Sequence, residues 1–252
     1  MQYRWFDTIV EIMSTYLLIH GAWHGGWCWR KVVPLLEVKG HRVLAPDLPG
    51  HGADKTAAAT VTLAHYADRI CEIVSGQTEP VIVAGHSMGG IAITQAAENC
   101  PKNIRALVYL CAFLPRAGDS LMTWASQDQE SLVNPTTTIP RDDGTIAFKP
   151  EHSREAFYGD CTDEDAAFAR SRLVAQSAAP FGTRVETTPE RWGRIPRYYI
   201  ECERDRAITL KLQREMQKHS PCRQTFSIDT DHSPFLSAPK QLADILLRIG
   251  SA

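Results

Sequence analysis

Short apolar runs alternate with helix-like stretches through the first third of the chain, and this rhythm predicts a layered α/β domain. Residues 15–19 (Thr-Tyr-Leu-Leu-Ile) read as a strand, followed by the loop His20-Gly-Ala-Trp-His-Gly-Gly26. A helix is expected over residues 29–39, reset at Pro34 and stopped at Gly40. Residues 42–45 form the next strand, and Pro46-Asp-Leu-Pro-Gly-His-Gly52 a turn-rich loop. From Thr62, a plausible cap, Leu63, Tyr66, Ala67, Ile70 and Val74 recur at helical spacing. Residues 80–84 are wholly apolar, as in a parallel strand covered on both faces. A helix from Gly89 to about Glu98 and a buried strand over residues 106–110 complete a β-α-β-α series. That order implies a doubly wound, mostly parallel sheet.

The rhythm breaks over residues 115–193, a polar stretch with hairpin chemistry at Asp143-Gly144 and a helical pattern over 160–175. It resumes with strands over 197–202 and 224–228 and helices over 210–219 and 240–249. The simplest account is one α/β core (residues 1–114 and 194–252) with a small inserted cap (115–193). Such a cap would sit over the carboxyl ends of the strands, where open α/β sheets bind ligands. Residues 1–12 precede a second methionine, Met13, and read as a dispensable extension.

Composition narrows the function classes. Lys and Arg number 27 against 29 Asp and Glu, a net charge of -2. No basic patch points to nucleic acid or to an anionic membrane surface. No apolar run approaches the roughly 20 residues of a membrane span. The N-terminal segment, interrupted by Arg4, Asp7 and Glu11, is not a signal peptide. The seven cysteines are odd in number and lack a C-x-x-C pair, so reduced, packed thiols in a cytoplasmic protein are expected, with no metal site.

The chemistry is carried by Gly85-His-Ser87-Met-Gly89, directly after an apolar strand and directly before a helix. In that context G-x-S-x-G makes a sharp turn that exposes the serine Oγ. A serine is a poor nucleophile until a base takes its proton and donors stabilise the oxyanion. His232, in the loop between the last strand and last helix, has the position of the base. Asp205, just past the 197–202 strand, fits the acid. Glu203 is the nearest alternative, while Asp229 and Asp231 lie too close to His232 in sequence. The oxyanion donors are expected to be the backbone N–H groups of Met88 and Ala22. His20, His24, His51 and His86 flank these motifs and are read as loop-stabilising.

These residues give the chain a resemblance to a known family. Leu18-Ile-His-Gly-Ala-Trp-His-Gly-Gly-Trp-Cys-Trp29, Val33-Pro-Leu-Leu36 and Gly85-His-Ser-Met-Gly-Gly90 resemble the plant methylesterases and hydroxynitrile lyases of the α/β-hydrolase superfamily. They also resemble bacterial relatives that include carboxylesterases cleaving pyrethroid-type esters. The likeness is dense over residues 15–115 and returns over 195–240, sparing most of the cap. It implies the triad Ser87, Asp205 and His232, with Ala22 and Met88 as oxyanion donors. The lyase branch carries threonine where Ala22 stands and lysine where Ser233 follows the histidine. Both departures favour ester hydrolysis without a cofactor.

The expected substrate is a small-to-medium, largely apolar carboxylic ester, and a homodimer is compatible with the chain. By its likeness to a pocket tryptophan of the plant enzymes, Trp124 is a candidate cavity wall, as are Leu121, Met122 and Phe235. Three other activities share the scaffold: a carbon–carbon lyase, a cofactor-free oxygenase, and a binding protein with a vestigial triad.

Overall fold

The fold is described by a computed structural model over residues 13–252, so the expected extension at 1–12 lies outside the described residues. Among the described residues nine strands occur in chain order: β1 (Thr15–Ile19), β2 (Arg42–Leu44), β3 (Val81–His86), β4 (Ile104–Leu110), β5 (Thr138–Pro140), β6 (Thr145–Phe148), β7 (Gln176–Ser177), β8 (Arg197–Cys202) and β9 (Gln224–Ile228). Six of them form one sheet in the order β2-β1-β3-β4-β8-β9. Every pairing in it is parallel. All six residues of β3 are buried, as the unbroken apolar run demands.

Local chemistry accounts for the element ends. Thr62 caps the helix Leu63–Ser75 reciprocally with His65, each side chain bonding the other's backbone N–H. The stretch expected as one helix after residue 29 divides into a 3₁₀ turn, Gly26–Lys31, and the α-helix Val33–Glu37. Pro34 sits in the first turn of the second piece, where its missing N–H is harmless. Gly40, at φ +81°, follows it. Helices Leu63–Ser75 and Gly89–Asn99 pack together, and Pro239–Gly250 contacts Val33–Glu37.

Between β4 and β8 the chain forms a small antiparallel sheet, β5-β6-β7, with short helices. Gly144 at φ +81° turns the β5–β6 hairpin, and the Asp143 carboxylate accepts from the Thr145 N–H and hydroxyl. The helix expected over 160–175 is shorter, Asp163–Arg170, capped by Thr162.

The cysteine expectation needs correction. Cys71 and Cys100 form a disulfide, joining helix Leu63–Ser75 to the residue that ends helix Gly89–Asn99. The two lie 29 positions apart in sequence, so no local motif announces the pair. Cys28, Cys111, Cys161, Cys202 and Cys222 are free. Among the described residues no helix is long and apolar enough to cross a membrane.

Candidate active site

The strand order reverses beside β1, which is flanked by β2 and β3. The loops after β1 and β3 therefore leave the sheet side by side, at the crevice where such folds bind ligands. Leu18 pairs with Ala84 and Ile19 with Gly85, so the His20–Gly21–Ala22 segment runs next to the turn that carries Ser87.

Ser87 has φ +55°, a left-handed conformation that costs a residue with a β-carbon free energy. The surroundings hold it there. Its N–H donates to the Leu110 carbonyl at 3.3 Å, and its own carbonyl accepts from Gly90 and Phe113 at 3.0 and 3.1 Å. A β-carbon on Gly85 would stand 2.7 Å from the Gly89 carbonyl oxygen, and one on Gly89 2.8 Å from that of His20. Strand and helix meet too closely for any other residue at these points.

His232 lies in the loop after β9 and Asp205 three residues beyond β8. The histidine Nδ1–H donates to Asp205 Oδ2 at 2.7 Å, with both residues buried. Asp205 Oδ1 accepts from the N–H groups of Ala207 and Ile208 at 2.7 and 2.9 Å, and Gln213 Nε2 donates to Oδ2 at 3.3 Å. These donors keep the carboxylate aimed at the ring. The rivals are placed elsewhere. Glu203, the nearest alternative, is exposed just past β8, Asp229 pairs with Arg204, and Asp231 receives the N–H groups of Asp160 and Ser233. Burial raises the Asp231 carboxyl above its ordinary range.

His86 points its Nε2 at the backbone carbonyl of His232, 2.8 Å away, and the two rings lie 4.5 Å apart. It braces the loop of the histidine, and burial holds it well below the usual histidine range. Donor atoms of His86, Cys111 and His232 lie within 4.8 Å of one another. One nitrogen of each ring is already bonded, however, and burial pushes the Cys111 thiol up, which opposes the thiolate a metal requires.

A cavity of about 420 Å³ opens over Ser87, with Ala22, Met88, Trp23 and Phe113 beside it. The segment between β4 and β8 supplies most of the remaining wall, including Leu121, Met122, Val133, Ile146, Phe157 and Phe181. Ala22, Met88, Leu121 and Met122 thus all line the cavity. Trp124 and Phe235 do not line the cavity. Trp124 is buried behind it, its indole N–H on the Asp119 carboxylate and its ring between Arg116 and His219. Phe235 packs beneath the site against Trp29, His24 and His86. Trp23, Phe113, Phe157 and Phe181 are the aromatic walls that sequence reasoning missed. Only Trp23 carried a signal, being adjacent to Ala22.

A parallel sheet with a strained serine at its switch point, and a buried carboxylate–histidine pair beyond its later strands, defines the class of hydrolases built on a nucleophile elbow. The chain belongs to the alpha/beta hydrolase family, whose sequence profile matches residues 16–245. It is 34% identical over 249 residues to a pyrethroid hydrolase of Sphingobium wenxiniae, covering 95% of this chain and 89% of that one. It is 31% identical to methylesterase 9 of Arabidopsis thaliana, over 94% of this chain and 98% of the relative. The crystal structure of a pyrethroid hydrolase from Sphingobium faniae superposes with a TM-score of 0.84 at 32% identity, over 95% of this chain and 98% of that one.

Proposed function

We propose that this esterase-type hydrolase is a serine carboxylesterase that cleaves small-to-medium, largely apolar carboxylic esters through an acyl-enzyme on Ser87. The observation that carries the reading is the 2.7 Å bond from His232 Nδ1–H to Asp205. With Nδ1 committed as a donor, the neutral ring keeps Nε2 as its basic nitrogen. That nitrogen accepts the Ser87 proton as Oγ attacks the ester carbonyl, and Asp205 stabilises the imidazolium formed. The N–H groups of Ala22 and Met88, which share the cavity with Ser87, hold the oxyanion. His232 returns its proton to the departing alcohol, then activates the water that clears the acyl group.

The cavity volume and its apolar wall support an ester of modest size as the only partner the chemistry needs. Ala22 has no side-chain donor for a cyanohydrin hydroxyl, and Ser233 brings no positive charge for cyanide, so both oppose the lyase reading. The likeness to pyrethroid hydrolases and methylesterases points the same way.

A panel tests this: p-nitrophenyl esters of rising chain length, a methyl ester and a pyrethroid, each assayed with wild type and Ser87→Ala. The proposal expects turnover that Ser87→Ala abolishes. Cyanide release from an aromatic cyanohydrin would favour a lyase, and oxygen uptake an oxygenase. Binding without turnover by the wild type would favour a vestigial triad.

A further inference from the structure

Ala22 is gripped on both sides by histidines that this chemistry leaves unused. The Gly21 carbonyl accepts from His20 Nδ1 at 2.8 Å and from the His24 backbone N–H at 3.4 Å. No described peptide bond is cis, and in a trans peptide the C=O and N–H point opposite ways. Fixing the Gly21 carbonyl therefore fixes the direction of the Ala22 N–H, which shares its plane. On the other side, the Ala22 carbonyl accepts from His24 Nδ1 at 2.7 Å.

The far nitrogens dictate the tautomers. The Leu48 N–H donates to His20 Nε2 at 3.0 Å, so that nitrogen is an acceptor and Nδ1 carries the proton. Tyr158 Oη lies 2.8 Å from His24 Nε2. Since the Ala22 carbonyl can only accept, His24 is also protonated on Nδ1, and the tyrosine donates. Burial keeps both rings neutral, His20 well below its ordinary range and His24 down to about 4.

Tyr158 immediately follows the helix Ser153–Phe157, between β4 and β8. Two further contacts tie that segment to the same loop. The Val174 N–H donates to the Trp23 carbonyl, and the Trp23 indole donates to the Ile146 carbonyl, each at 2.9 Å. Trp23 has φ +62°, a conformation that relaxes unless something holds it.

We propose that His20 and His24 are positioning residues that hold the Ala22 N–H as an oxyanion donor, and that Tyr158 makes this hold depend on the cap. The proposal rests on the esterase reading. It differs from plain loop support because it couples the cap to the stability of the transition state rather than to substrate binding alone.

The test compares a trifluoromethyl ketone, which forms a tetrahedral oxyanion with the serine, with the unreactive methyl ketone of the same skeleton. Inhibition constants for both, kcat/KM for p-nitrophenyl butyrate, and Tm are measured. For Tyr158→Phe the trifluoromethyl ketone should weaken roughly tenfold and kcat/KM fall in step, with the methyl ketone within about twofold. An asparagine amide can replace Nδ1 as donor, whereas a glutamine amide replaces Nε2. His24→Asn should therefore retain oxyanion selectivity that His24→Gln loses by roughly 30-fold or more, and His20→Asn should outperform His20→Gln likewise. These pairs keep the test decisive if Tyr158→Phe folds poorly. Equal weakening of both ketones, or a lower Tm with selectivity intact, would overturn the proposal. A wild type that neither turns over esters nor prefers the trifluoromethyl ketone would overturn the esterase reading, and this proposal with it, before any histidine is changed.

Discussion

Gly21 and Ser87 approach so closely that a β-carbon on residue 21 would stand 2.8 Å from the Ser87 Cβ. The contact exists because β1 and β3 are neighbours at the switch point of the sheet, so their following loops share one edge. Any side chain at residue 21 must push the Ala22 loop off the elbow. The same β-carbon would also meet His86 Nδ1 at 2.9 Å.

Gly21→Ala should therefore cost activity out of proportion to stability. A displacement of a few tenths of an ångström to 1 Å at Ala22 should lower kcat/KM by about 10²-fold, while overpacking lowers stability by roughly 1–3 kcal/mol. Steady-state kinetics beside urea unfolding would check this. Near-normal activity in a stably folded Gly21→Ala would remove the loop from the site.

Asp205→Asn probes the pairing with His232. The carbonyl of the new amide can keep the N–H groups of Ala207 and Ile208, which turns its NH₂ toward Nδ1. The ring must then carry its proton on Nε2 and cannot accept one from Ser87. We expect kcat to fall by the order of 10³–10⁴ with Tm little changed. A loss under about tenfold would place the acid elsewhere.

Stability should fall in mild acid. His20, His24, His51 and His86 are buried, and desolvation lowers each from the ordinary value of 6.5, His24 to about 4. Their folded pKa values lie below the unfolded ones, so the unfolded chain binds more protons as pH drops below about 6.5. The contribution is present in full above that pH and is lost as pH falls toward the folded values. Each histidine that stays neutral costs up to about 1.4 kcal/mol per pH unit. The raised carboxyl of Asp231 acts in the opposite sense. Urea midpoints should drop between pH 7.5 and 5 at constant m-value, and an unchanged or higher midpoint at pH 5 would contradict this.

Selectivity should follow the residues that line the cavity. Met122→Ala and Leu121→Ala enlarge it and should improve kcat/KM for longer acyl chains relative to acetate. Trp124→Phe removes the bond to Asp119 behind the wall, so it should lower Tm without changing the chain-length profile. A shifted profile in Trp124→Phe would restore that tryptophan to the pocket.

The sheet was legible because its central strands are wholly apolar and its turns carry Gly and Pro at diagnostic points. Ser87, Asp205 and His232 were legible through topology, since each follows a strand whose place in the order was readable. The cap was not. Its short elements are polar, and nothing in the chain says which face an aromatic side chain presents, so Trp124 and Phe235 were expected in a wall whose aromatic members are instead Trp23, Phe113, Phe157 and Phe181. Nor can a sequence show that Leu48 and Tyr158 fix the tautomers of two histidines far from them in the chain.

The most direct test of the central claim is covalent trapping. A fluorophosphonate should add one phosphonyl group to the wild type, which peptide mass mapping would locate on Ser87, with activity lost in step. Ser87→Ala should take up none and hydrolyse no ester. An adduct on another residue, or ester turnover that survives in Ser87→Ala, would contradict the account.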